Sequence, residues 1–437
     1  MTALLYLVGV LLFVVGLALS IGLHEFGHLV FGKLFGVRAP QYFIGFGKTV
    51  WSRKVGETEY GVKAFPLGGY VKLIGMLPPA STAGQDDEPL RVRRSNTGMF
   101  AQLVSDARAS EYELIEEGDE DRVFYRLAWW KKVVVMAAGA SINVLLAFVL
   151  FGGVFMLHGV PEPTTTIAKV SDCVVAIHVG QKVPKCTPAD PVAPARKAGI
   201  RAGDQVVAFN GTQVRSYTQL QHLVRANESG AASITVLRDG KRLVLHTSTT
   251  VNSLPSLHGD GTSTVRAGFL GITPTTHNVA KGAGYTIRTM GGYTSDTVTA
   301  LAHLPQKLWG VAEAVVGAQP RAQDSPMSVV GASRVAGQIA SDQKVSVGDR
   351  VASAVMLLGA VNLFVGMFNF VPLLPLDGGH IAGALFEAVR RGFARLRGRP
   401  DPGYFDVARL LPVAYVMAGL LLVMTLLLVY ADIVVPV

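Results

Sequence analysis

Charge is scarce in this chain. Asp, Glu, Lys and Arg make up 16% of 437 residues, against 50% hydrophobic residues. That balance argues for an integral membrane protein and against one bathed in water on every side. The scarcity is also local: no charged side chain occurs from Ala3 to Leu23, a run long enough to cross a bilayer. This first run, followed to about Phe31, lacks a basic n-region and a small-residue cleavage site before His24. A signal peptide is therefore set aside in favour of a retained helix. Three more runs qualify as spans: Val133–Leu157, Val351 to about Val371, and Leu410–Tyr430. Acidic residues are outnumbered, 31 against 40 basic, for a net charge of +9. Cysteine is limited to Cys173 and Cys186, so the chain can form one internal disulfide or none.

The basic residues sit at the edges of the apolar runs, which points to anionic lipid and sets nucleic acid aside as a partner. Lys33, Arg38, Lys48, Arg53, Lys54, Arg91, Arg93, Arg94, Lys131 and Lys132 fall between the first two spans. Arg390, Arg391, Arg395, Arg397 and Arg399 fall between the last two. The positive-inside rule makes both segments cytoplasmic. Both termini and residues 158–350 are then extracytoplasmic. The two cysteines lie on that oxidising side, where a disulfide and a pair of free thiols remain open alternatives.

What the first run does carry is His24-Glu25-Phe26-Gly27-His28 at its inner end. Residues four apart share a helix face, so two imidazoles can chelate one Zn²⁺ while the adjacent glutamate reaches the bound water. Ionisable groups inside a membrane segment cost about 2.5–3.5 kcal/mol each even on the lenient scale, so three in five residues call for a function. The competing reading is a coincidental polar cluster where the helix leaves the membrane.

Catalytic zinc requires a third protein ligand and one open position. The third span runs into Asn369-Phe370-Val371-Pro372-Leu373-Leu374-Pro375-Leu376-Asp377-Gly378-Gly379-His380. The two prolines break the helix, so Asp377 is expected on a non-helical turn at membrane depth, where irregular backbone needs cover from protein or a cavity. An ordinary Asp-Gly turn is the bland alternative. Depth favours a ligand. His24 lies about 30 Å along the first helix, close to the thickness of the hydrocarbon core. Asp377 lies 26 residues past Val351 (377 − 351) on a span that also starts outside. His380 competes for the same role, but a set of two histidines and a carboxylate suits Asp377 better.

The remaining segments read as follows. Residues 35–77 are rich in Gly, aromatic and β-branched residues and suggest short strands with tight turns; Pro66 makes its strand an edge. Such an edge could template an extended peptide or simply cover the inner mouth. Residues 78–130 form a polar cytoplasmic insert, partly disordered or helical. Residues 164–251 alternate as strands around Lys197-Ala198-Gly199-Ile200-Arg201-Ala202-Gly203-Asp204, with turn signals at Asn210-Gly211 and Asp239-Gly240. No second copy of this pattern occurs. Residues 252–350 are expected to be a linker whose stretch 295–316 is an amphipathic helix kinked at Pro305, on the membrane face or against a neighbouring domain.

Taken together these residues resemble the site-2 intramembrane metalloproteases. The resemblance rests on HEFGH, on Asn369 to Gly379, on Phe65-Pro66-Leu67-Gly68-Gly69-Tyr70, on the single module around Asp204 and on the four-span layout. It covers nearly the whole chain except about 78–126. It is strongest to the bacterial regulator-of-sigma-E protease branch, in an actinobacterial form with one PDZ domain. The resemblance implies an α-helical integral membrane protein with four transmembrane helices, a membrane-reentrant β segment and one extracytoplasmic PDZ-like α+β domain. The implied layout is helix 1 at 1–34, β region 35–77, insert 78–130, helix 2 at 131–158 and PDZ-like domain 164–251. It continues with linker 252–350, helix 3 and its ligand turn at 351–380, a basic loop at 381–409 and helix 4 at 410–431.

The resemblance further implies that His24, His28 and Asp377 bind Zn²⁺ and that Glu25 is the general base. Gly45, Phe46, Gly47, Leu67, Gly68, Gly69, Asn369 and Pro372 would hold substrate. One departure from the family pattern is Gly139-Ala140-Ser141-Ile142-Asn143, where a usual proline is missing and the asparagine is kept. The implied activity is cleavage of a single-span membrane protein, an anti-sigma factor or a signal-peptide remnant, after an upstream site-1 protease has trimmed it. The rival readings are a non-proteolytic PDZ membrane scaffold and a metal transporter. The transporter is disfavoured because the other spans lack ionisable groups at mid-membrane.

Overall fold

The computed structural model describes residues 2–78, 99–113, 115–175, 185–256, 264–322 and 324–436. Arg91, Arg93 and Arg94 lie outside the described residues. The chain divides into two compact units, Leu157–Lys281 and the remainder. Among the described residues four helices are long and apolar enough to cross a membrane: Thr2–Leu34, Trp129–His158, Val347–Asn369 and Val407–Val434. Three of them extend the run read from the sequence at both ends, because helices continue into flanks that hydropathy alone does not count; the remaining one begins four residues earlier, at Val347, but stops at Asn369, short of Val371.

The N-terminal part comprises α1 (Thr2–Leu34), β1 (Gln41–Val55), β2 (Thr58–Lys72), α2 (Met99–Tyr112) and α3 (Trp129–Gly153), the last followed by a π-helical turn to His158. The hairpin β1–β2 doubles back on itself. Residues 41–44 pair with 69–72, while 49–55 pair with 58–63. The irregular corner falls where Gly45 and Gly47 take φ near +90°, a conformation that other residues adopt only with strain. Leu29, Val37, Leu73, Phe124 and Val135 form a core that packs the opposite end of the hairpin, at Tyr42, Tyr60 and Val71, against α1 and α3, while Phe46 at the corner is exposed. The acidic part of the insert is anchored, since Asp119 is buried and accepts from Arg38.

The second unit contains β3 (Val160–Val170), α4 (Pro194–Lys197), β4 (Gln205–Phe209), β5 (Thr212–Gln213), α5 (Tyr217–Ala226), β6 (Ala231–Arg238), β7 (Lys241–Ser248), β8 (Thr250–Pro255), β9 (Thr264–Phe269) and β10 (Ile272–Val279). Its main sheet has the order β10-β3-β4-β6-β7, with β5 beside β4. Ile167, Val206, Phe209, Leu220 and Ile234 fill the core. Asn210 and Gly211 have φ of 47° and 79°, and Asp239 and Gly240 have 49° and 78°, the left-handed pairs that type I′ hairpin turns require. The β structure runs well past residue 251, because β9 and β10 return to cover α5 and the sheet edge. Cys173 and Cys186 form a disulfide.

The C-terminal part holds α6 (Ala283–Ala302), α7 (Leu304–Val315), α8 (Val329–Ser341), α9 (Val347–Asn369), α10 (Asp377–Leu396) and α11 (Leu411–Val434). Two expectations change here. The amphipathic segment is two helices broken at His303, with Pro305 in the first turn of α7, where its missing N–H costs nothing. The basic segment 381–409 is mostly helix, and Asp377 is the first residue of α10 rather than part of a free turn. The chain restarts a helix directly after Pro375, and a carboxylate is favourable at a helix N-terminus.

Candidate metal centre

The site forms where α1, α3 and the start of α10 converge. His24 and His28 project from one face of α1, one turn apart, with ring centroids 4.9 Å apart and planes at 78°. Their Nε2 atoms are 3.3 Å from each other. Asp377 Oδ2 lies 3.3 Å from Nε2 of His24 and 3.4 Å from that of His28. Among the described residues this is the group of His, Cys, Asp and Glu side chains whose ligand atoms converge, all within 4.8 Å. His380, three residues past Asp377, is not one of them.

These spacings test whether the residues fit a metal ion. Ligand atoms held about 2.0–2.1 Å from one tetrahedral ion stand about 3.3–3.4 Å apart. The three observed separations fall on that value. Two further features agree. Asp377 Oδ2 is buried and has no hydrogen-bond partner among the described residues. Opposite the histidines, α3 presents Gly139, where a Cβ would sit 2.4 Å from His28 Nε2 and 2.8 Å from His24 Nε2. Glycine keeps open the space that three inward-facing donors share. Two histidines and one carboxylate, with room left over, is the donor set of catalytic zinc.

Outer contacts orient the donors. His28 Nδ1 lies 2.8 Å from the Val135 carbonyl. His24 Nδ1 lies 3.3 Å from the carboxamide of Asn143. One turn above His24, Asn362 on α9 donates to Ser20 on α1 at 3.0 Å. The helix bearing Asp377 is pinned to α3 by a buried ion pair, Lys132 Nζ to Glu387 Oε2 at 2.8 Å, and the Phe405 N–H donates to the same oxygen.

Glu25 points from α1 towards β2, where its Oε2 accepts the N–H of Val71 at 3.0 Å. Gly69 packs beside it; a Cβ there would lie 3.3 Å from Glu25 Cγ. Of the substrate-holding residues suggested by resemblance, Gly69 is thus next to the site. Gly45, Phe46, Gly47 and Gly68 form the hairpin corner, with the Phe46 ring half exposed and close to Gly68. Leu67 lies in the same strand. Asn369 ends α9 and Pro372 lies in the break before α10. The sequence reading gave Val135 no part, and it gave Lys132 only a topological role and Gly139 only a place in the second-span pattern, with no contact to the histidines. The signals that could have found these roles are the small Gly139 within an apolar span and the charge of Lys132 at that span's start.

A model of the family described as Peptidase family M50 matches residues 12–400. The chain belongs to peptidase family M50. The zinc metalloprotease Rip1 of Mycobacterium tuberculosis (strain H37Rv) is 33% identical over 444 residues, covering 99% of each chain. The regulator of sigma-W protease RasP of Bacillus subtilis (strain 168) is 24% identical over 424 residues, covering 87% of this chain and 90% of that one. Metalloprotease MmpA of Caulobacter vibrioides is 25% identical over 400 residues, covering 87% and 86%. The similarity to Rip1 spans both compact units, so this M50 chain matches that relative from end to end rather than around the HExxH helix alone.

Proposed function

We propose that this M50 protein is an intramembrane zinc metalloprotease that cleaves single-span membrane proteins. The observation that carries the reading is the coincidence of His24, His28 and Asp377 at zinc-ligand spacing with Glu25 beside them. Zinc held there supplies a Lewis acid and a water of lowered pKa. Glu25, adjacent to those residues and accepting from the Val71 N–H with one oxygen, is the group that would take up a proton and hand it to the leaving amine. Residues 69–72 offer a strand edge beside Glu25 on which a locally unwound substrate helix adds as a further strand. Gly45, Phe46, Gly47, Leu67 and Gly68 shape the hairpin behind that edge, and Asn369 and Pro372 flank the far side.

The substrate class we infer is an anti-sigma factor or a signal-peptide remnant, delivered by an upstream site-1 protease. The name of the relative RasP, a regulator of sigma-W protease, supports the first. In this reading the protein is a multi-pass component of the cell membrane. Both termini and the second unit, a PDZ-like domain, face outward, and the arginines of α10 lie at the inner leaflet. A non-proteolytic scaffold is the weaker reading, because a scaffold gains nothing from three buried donors at zinc spacing.

The test is zinc content and cleavage of a membrane substrate by the purified full chain. Glu25→Gln should keep zinc and lose cleavage; His24→Ala, His28→Ala and Asp377→Ala should lose both. Wild-type protein without zinc, or an active Glu25→Gln variant, refutes the assignment. Thiol labelling of single cysteines at positions 397 and 201 tests orientation, and labelling of 397 in sealed cells would refute it.

A further inference from the structure

We propose that Asn143 is a positioning residue for His24, its carboxamide oxygen accepting the imidazole Nδ1 proton so that Nε2 is free to bind metal. The inference rests on the zinc reading above and extends it to a residue outside the ligand set.

Both histidines turn Nε2 towards Asp377. To act as ligands they must be neutral with the proton on Nδ1. For His28 the structure settles the tautomer. Its Nδ1 is 2.8 Å from the Val135 carbonyl, which can only accept, so Nδ1 carries the hydrogen. His24 needs the same arrangement, and its Nδ1 faces Asn143 at 3.3 Å. With the amide nitrogen turned that way, two donors oppose each other, or His24 carries its proton on Nε2, aimed into the ligand cluster. Meanwhile Asn143 Oδ1 is buried and has no partner among the described residues. Asn143 as a whole is 2% exposed, so water does not relieve it. The two ends of a carboxamide have the same shape, and a half-turn exchanges them. That single rotation gives the orphaned oxygen a donor and gives His24 the tautomer it needs.

The register of the helices makes the same point. Val135, Gly139 and Asn143 recur every four residues along one stripe of α3, facing His28, the open centre and His24 in turn. One span thus supplies both outer partners and the gap between them. A polar amide in an apolar span is costly unless paired, and its pairing here is with a metal ligand.

The experiment compares wild type, Asn143→Leu and Asn143→Asp as full-length protein in detergent. Leu keeps the volume and removes the acceptor; ionised Asp accepts but cannot donate. Zinc affinity is read by competition with a chelator, and the absorption of the cobalt-substituted protein reports the ligand geometry. Loss of an outer partner typically weakens metal binding about 10–100-fold. We expect that loss for Asn143→Leu, and wild-type affinity and cobalt spectrum for Asn143→Asp. Wild-type affinity in Asn143→Leu overturns the proposal, as does an Asp variant that folds but loses zinc as Leu does. If Asn143→Leu does not accumulate, Asn143→Ala takes its place and the Asp variant still decides. A wild-type protein that binds no zinc instead overturns the reading on which the proposal rests.

Discussion

The backbone N–H of Val71 donates to Oε2 of Glu25 at 3.0 Å. The contact joins the free edge of the β1–β2 hairpin to the acid between the two histidines. It holds one carboxylate oxygen while the other remains available for proton transfer. In the function proposed above, the segment 69–72 would thus both tether the base Glu25 and offer the edge to substrate.

This contact predicts a separation of chemistry from metal binding. Val71→Pro removes the donor without breaking a ladder bond, since that N–H points at Glu25 and not at β1. Cleavage should fall on the order of 10²-fold, the usual cost of a misplaced catalytic group, with zinc content unchanged. Val71→Ala should behave as wild type. Near-normal cleavage by Val71→Pro would show that Glu25 needs no such tether.

Gly139 predicts the converse. A methyl group at this position falls 2.4 Å from His28 Nε2. Gly139→Ala should therefore lower zinc occupancy and cleavage together while leaving the helices formed. Metal analysis and circular dichroism read the two effects, and full zinc occupancy in the variant would sink the steric argument.

The Lys132–Glu387 pair should behave as a buried ion pair does. Glu387→Leu alone strands a buried ammonium and should cost about 3 kcal/mol. Lys132→Met with Glu387→Leu should recover much of that loss. Thermal unfolding in detergent checks both, and a double variant no more stable than the single one would argue against mutual compensation.

The disulfide closes a separation of 13 residues between Cys173 and Cys186. Loop-closure entropy for a loop of that size gives at most about 3 kcal/mol. Cys173→Ala should thus lower the unfolding temperature of the Leu157–Lys281 unit, and reducing agent should have no further effect on the variant. No change in melting would mean that the bridge adds nothing to stability.

Much of this site could be read from order and spacing. His24 and His28 announce themselves because helix periodicity puts i and i+4 on one face, whatever surrounds them. Asp377 could be inferred because two prolines and a carboxylate at membrane depth demand an explanation, although its place on the first turn of α10 could not. Hairpin turns at Asn210 and Asp239 are likewise local, set by which residues tolerate positive φ. The two cysteines left both redox states open until their Cα atoms were placed 5.9 Å apart.

The sequence by itself determined the spans, the turns and the paired histidines, because each depends on residues a few positions apart. Only the tertiary structure decided which groups complete the centre. Val135, Gly139 and Asn143 lie over 100 residues from the histidines they face, and Val71 meets Glu25 through a backbone atom that every residue but proline possesses. Such contacts leave no local pattern, since they are fixed by how α1, α3 and the hairpin pack.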